Sequence, residues 1–239
     1  MEHAWQIAID AVVSELLQEL DCSEPPVDAV DSLRRLGVEV ALDSSQSSRG
    51  RQKSLAGRKA VFLKPDPRPE RFQWSAAHEL GETCAWKIFD RLDPFDFEAT
   101  PRLREQIANQ FASRFLLPEH WFRRDALSLE NHLFELKARY ATASHELIAR
   151  RLLDYQPPKI LTIIDGSQIT TRIGSEHGRA LAMSPAETEC WEAVRQTGLP
   201  RRIERETLAI DVWPIHEADW KREIVLTSSI REFEEAAFE

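Results

Sequence analysis

The chain has 239 residues, 42% of them apolar and 30% charged, with a formal net charge of −9. That length suits one large domain or two modest ones, and the mixture excludes a disordered chain and disfavours broad attraction to a phosphate backbone. No apolar run approaches the ~18 residues of a bilayer span, and Cys22, Cys84 and Cys190 form neither a disulfide framework nor a zinc knuckle, so a cytoplasmic protein away from membranes is expected.

Residues 4–20 place Trp5, Ala8, Ile9, Val12, Val13, Leu16, Leu17 and Leu20 at helical spacing, which predicts an amphipathic helix. The segment DCSEPP breaks it, VDAVDSLRRLG reads as a second helix ending at Gly37, and VEVAL as a strand. Residues 43–58 mix serine, glycine and basic side chains without periodicity and are expected to form a surface loop, a candidate flap. A second strand, KAVFL, is closed by the prolines of KPDPRPE.

Helical patterns follow over 71–91 and 101–115, separated by the loop DPFDFEAT, with shorter helices near 119–126, 130–140 and 143–154. Tyr155-Gln-Pro-Pro marks a break at Pro157. Beyond it KILTIID, QITTRI, RRIERETLAIDVWPI and REIVLTSSI read as strands around a helix over 185–197, and the acidic end EFEEAAFE as an exposed tail. The expected fold class is α+β, with a mostly helical domain and small sheet over 1–156 and a small mixed α/β domain over 157–239. The role of that second domain is not written in any motif.

The dipeptide His-Glu occurs three times, at His78-Glu79, His145-Glu146 and His216-Glu217, and only the first has suggestive surroundings, AAHELGETCAW. His78 and Glu82 stand one helical turn apart on one face, the spacing with which two side chains address a single metal ion, while the Glu beside the first ligand polarises metal-bound water. A third ligand has to come from another element. The segment REQIANQFASRFLLP offers Glu105, with Asn109 one turn later, although Arg102, Arg104 and Glu105 also fit an ordinary exposed charge cluster. His120 and Cys84 are alternative ligands, and Tyr140 and His120 are candidates to stabilise an oxyanion.

The pair AAHELGE and EQIANQFASRFLLP, in that order, resembles the ImmA/IrrE-like metallopeptidases, and the resemblance covers roughly residues 25–154. It implies His78 and Glu105 as metal ligands, Glu79 as general base and Glu82 in the second-ligand position, where the family pattern has histidine. It further implies zinc as cofactor, a protein substrate such as a DNA-binding repressor, and a place in stress responses or mobile elements. Two carboxylates leave less positive charge on the ion to acidify water, and their hardness brings manganese or iron closer to competing with zinc.

Two further readings come from other classes. The Glu82 variant is also consistent with a binding or sensory module that keeps the peptidase fold without turnover or metal. The helices near 130–140 and 143–154, joined at TAS, can pass for a helix-turn-helix that exposes Arg150 and Arg151 to DNA, although the net charge and the apolar Leu147, Ile148, Leu152 and Leu153 speak against direct nucleic-acid binding. The sequence carries no statement of oligomeric state.

Overall fold

The computed structural model describes residues 2–55, 58–92, 100–175, 180–205, 207–217 and 220–230. They form an α+β protein of two compact units, Met1–His145 and Glu146–Glu239. The boundary expected at Pro157 lies inside the second unit, just ahead of its first strand. The expected loop at 93–100, except Thr100, and the tail EFEEAAFE fall outside the described residues. Among the described residues no helix is long and apolar enough to cross a membrane.

The first unit opens with α1 (Glu2–Glu19), which buries the periodic residues Ala8, Ile9, Val12, Val13, Leu16 and Leu17. Helix α2 (Ala29–Arg35) starts where the Asp28 carboxylate accepts the backbone N–H groups of Val30 and Asp31, and the chain leaves it through Gly37 at φ +75°. Strands β1 (Glu39–Leu42), β2 (Gly50–Leu55) and β3 (Arg58–Leu63) form a sheet in the order β1-β3-β2, β1 running parallel and β2 antiparallel to β3.

Strand β2 corrects the expectation of a loop over 43–58. Its pattern is polar because it is an edge strand whose alternate residues go to special partners. Gly50 and Gln52 turn to a neighbouring helix, while Arg51 and Lys53 lay their cations 5.3 and 6.0 Å from the centre of the Phe62 ring. Hydrophobic alternation is therefore missing although the ladder to β3 runs the whole length of the strand.

Helices α3 (Pro69–Phe89), α4 (Pro101–Leu116), α5 (Glu119–Ser128) and α6 (Leu133–Arg139) complete this unit. Both long helices begin with proline in the first turn, where its missing N–H costs nothing, and Thr100 caps α4 by accepting the Leu103 N–H at 3.2 Å. The core gathers Leu80 and Ile88 of α3 with Ile107, Phe111 and Phe115 of α4. The buried Arg114 pairs with Asp10 of α1.

The second unit begins in α7 (His145–Arg151), continued by a 3-10 turn at Leu152–Asp154. Strands β4 (Lys159–Asp165), β5 (Gln168–Gly174), β6 (Arg201–Arg205), β7 (Leu208–Glu217) and β8 (Trp220–Ser229) form an antiparallel sheet ordered β5-β4-β8-β7-β6. The long stretch RRIERETLAIDVWPI thus holds two strands of a hairpin. Pro214 is accommodated because β6 pairs with β7 only as far as Val212, so the N–H that proline lacks has no partner strand to serve. Helix α8 (Pro185–Thr197), opened by a reciprocal cap between Ser184 and Glu187, packs Cys190 and Val194 on Ile164, Ile210, Val212 and Val225.

Candidate metal centre

Helix α3 is buried along one broad face, through Ala76, Ala77, Leu80, Gly81, Cys84, Ala85 and Ile88. Gly81 sets how near α4 can come. A Cβ there would lie 2.9 Å from the Phe111 ring and 3.1 Å from the Ala108 Cα and carbonyl oxygen. Glycine lets the two helices touch at backbone distance. That contact brings Glu105 and Asn109, on the flank of α4, alongside His78 and Glu82 of α3.

One potential ligand atom from each of His78, Glu82 and Glu105 lies within 4.8 Å of the others. His78 Nε2 is 3.6 Å from Glu105 Oε2. Asn109 sits behind the pair: its Nδ2 donates to Glu105 Oε1 at 3.2 Å, which leaves its Oδ1 facing His78 Nδ1 at 3.2 Å. His78 then carries its hydrogen on Nδ1 and presents the Nε2 lone pair to the cleft, the arrangement that a metal-ligating histidine needs.

Donors about 2.1 Å from one tetrahedral ion stand ~3.4 Å apart, so closing this triad asks only for small rotations of two glutamates. The side chains of Glu82 and Glu105 are 25% and 60% exposed, which leaves room for them. One imidazole nitrogen and two carboxylate oxygens suit zinc, and equally a harder divalent cation such as manganese or iron.

Glu79 lines the same cleft on the side of β2. It is 7% exposed, and Gly50 of β2 lies directly against its carboxylate, where a Cβ would come 2.3 Å from Oε1. Gln52, two residues on, donates its side-chain amide to the Glu79 backbone carbonyl, which ties β2 to α3 at the level of the site. Burial raises the proton affinity of Glu79 above that of an ordinary glutamate. Glu82 and Glu105 add to the rise, while His78 and Gln52 oppose it. These groups line a cleft of about 450 Å³, together with Arg49 and Trp74.

The structure brings His78, Glu79, Glu82 and Glu105 together and sends the alternatives elsewhere. His120 lies edge-on to Trp121, 4.9 Å between ring centres, in a separate cleft beside Leu17 and Asp21. Cys84 is buried, with its thiol pushed up to about 11 by burial. Tyr140 is fully buried and donates to Asp125 Oδ2 at 2.8 Å, so it offers nothing to an oxyanion in this cleft. The helix-turn-helix reading required exposed arginines, but Arg151 is 3% exposed and pairs with Asp154, and Arg150 bonds Glu146 at 3.0 Å. Arg151 is closed to a phosphate backbone, whereas Arg150, its side chain 40% exposed, is engaged by Glu146.

Sequence reading missed Gly50 and Gln52, and it left Asn109 without a role. Only Asn109 had a local signal, its position one helical turn after Glu105. Gly50 and Gln52 reach Glu79 through a strand pairing that no short-range pattern announces.

A helix with a His-Glu pair and a glutamate one turn on, closed by an acid from the next helix, is an arrangement that could hold a metal ion. The chain belongs to the family of the IrrE N-terminal-like domain, peptidase family M78, whose model matches residues 33–153, just over half of its length. A solved structure titled as a Mycobacterium tuberculosis transcriptional regulator shares the fold, with a TM-score of 0.61 and 18% identity over 92% of this chain and 75% of that one. No curated protein matches the chain.

Proposed function

We propose that this chain is a metal-dependent endopeptidase that cuts a regulatory protein, such as a DNA-binding repressor, in the cytoplasm and in the service of a stress response. The observation that carries the reading is the buried Glu79 carboxylate standing beside three convergent ligand donors in an open cleft. His78, Glu82 and Glu105 would hold the ion, zinc in the first instance. When bound, a divalent cation polarises the scissile carbonyl and acidifies a water molecule.

The chain's own groups do the rest. Glu79 accepts the proton of the attacking water and returns it to the leaving amine, and its raised proton affinity brings it nearer to the working pH of such a base. Asn109 keeps the His78 lone pair in the cleft. Strand β2 supplies the place for the peptide. The Lys64 N–H donates to the Arg49 carbonyl and the register pairs Gly50 with Leu63, so the alternation of an antiparallel ladder turns the N–H and C=O of Gly50, Gln52 and Ser54 away from β3. Strand β2 has one neighbour among the described residues, and an extended substrate can add along its open edge, passing beside Glu79.

The test is to incubate the full chain, supplied with zinc or manganese, with candidate DNA-binding repressors and to identify products by mass, with Glu79→Gln as control. Cleavage by the wild type and not by the variant supports the reading. Metal bound without cleavage of any regulator or unfolded protein overturns the peptidase and leaves a binding or sensory module on the same fold.

A further inference from the structure

We propose that Arg104 is the built-in counter-ion of Glu82 and sets the metal affinity of the centre by competing with the ion for that carboxylate. This rests on the metal-site reading and deepens it. Three carboxylates, Glu79, Glu82 and Glu105, converge on the cleft beside a single imidazole. Arg49 also lines the cleft, and Arg104 is the cation bonded to Glu82: its NH2 group donates to Glu82 Oε2 at 3.3 Å.

The placement follows from the helix. Arg104 precedes Glu105 on α4, so the element that delivers one ligand also delivers the cation that engages another. Arg104 is 51% exposed and Glu82 25%, and a partly solvated pair of this kind is weak and exchangeable. A divalent ion can therefore bind Glu82 with the guanidinium still beside it, but each binding event must loosen that hydrogen bond.

Charge counting gives the pair a purpose. One histidine and two carboxylates cancel a divalent ion, whereas two histidines and one carboxylate leave it one net positive charge. A guanidinium bonded to Glu82 returns that charge to the centre and draws electron density from the ligand oxygen. Glutamate in the second-ligand position and arginine at 104 then work as one device, which offsets the loss of Lewis acidity while holding affinity down.

The experiment measures zinc affinity of the full chain by competition with a chromogenic chelator, for the wild type, Arg104→Gln, Arg104→Lys, Glu82→His and the Glu82→His/Arg104→Gln double variant. Arg104→Gln is expected to bind zinc about fivefold or more tighter, as loss of an ion pair of ~1 kcal/mol implies, Arg104→Lys to stay nearer the wild type, and the gain to shrink to about twofold in the Glu82→His background. Unchanged or weaker binding in Arg104→Gln, or the same gain in both backgrounds, overturns the proposal. If neither the wild type nor Arg104→Gln takes zinc, the metal-site reading fails and the proposal with it. A wild type that takes none beside an Arg104→Gln variant that does upholds both.

Discussion

Glu79 in the first unit and Glu187 in the second are both buried carboxylates, and the fold treats them in opposite ways. Burial alone would raise the proton affinity of Glu187, yet Thr227 donates to it at 2.6 Å, the Ser184 N–H at 2.7 Å, and Arg172 grips both of its oxygens at 3.1 and 3.2 Å, so its carboxyl is held below the usual range. Among the described residues Glu79 forms no ion pair with lysine or arginine, and burial leaves it above that range. The second unit uses its buried charge to fasten β5, β8 and α8 together. Glu223 repeats the pattern, fully buried with His216 at 2.8 Å and Trp191 donating at 3.3 Å. The comparison separates the fastening carboxylate Glu187 from Glu79, the proposed general base, by their partners, since burial is common to both.

The contrast can be broken at several points. The largest expected effect is on turnover: Glu79→Gln should lower kcat by about 10²–10⁴-fold while metal content stays at the wild-type level, read by product formation and metal analysis of the same sample. On stability the opposite partner matters, and Arg172→Met, which strands Glu187, should cost about 3–5 kcal/mol in denaturant unfolding. If Arg172→Met proves neutral, the network in the second unit is not the fastening described here.

A smaller effect is expected at Asn109. Asn109→Ala frees the His78 ring to change tautomer and should weaken metal binding by about 10–100-fold in chelator competition. The smallest concerns pH. Burial chiefly, with Lys137 adding and Glu70 opposing, lowers the His145 imidazole to about 4. The folded chain keeps this histidine neutral while the unfolded one takes a proton below about 6.5, so its contribution is complete above that pH and is lost as pH falls towards 4. Unfolding free energy should drop by up to about 2 kcal/mol between pH 7.5 and 5 through this group, and His145→Phe should flatten that part of the profile.

The helices were legible because their apolar residues repeat at 3.6: Ala8, Ile9, Val12 and Val13 in α1, and Leu103, Ile107, Phe111 and Phe115 in α4, are the residues found buried. The site was legible as far as single helices carry it. His78 and Glu82 are one turn apart, and Glu105 and Asn109 are one turn apart, so each pair is visible as spacing. What joins the pairs is tertiary, the Gly81 contact with Ala108 and Phe111, and no local pattern reports it. Strand β2 was hidden for a related reason: its inward residues are a glycine and a glutamine that serve Glu79, and its outward ones are cations that cover Phe62. Arg104 read as part of a surface charge cluster, because nothing in the sequence of α4 shows that Glu82 stands opposite it.

The central claim is that His78, Glu82 and Glu105 form one metal-binding centre, and metal content tests it most directly. Protein purified without a metal-affinity tag is analysed by mass spectrometry as wild type, His78→Ala and Glu105→Ala. Near-stoichiometric metal in the wild type, lost in both variants, is the predicted result. A wild type that holds no metal after zinc and manganese have been offered, or variants that retain it in full, would contradict the account.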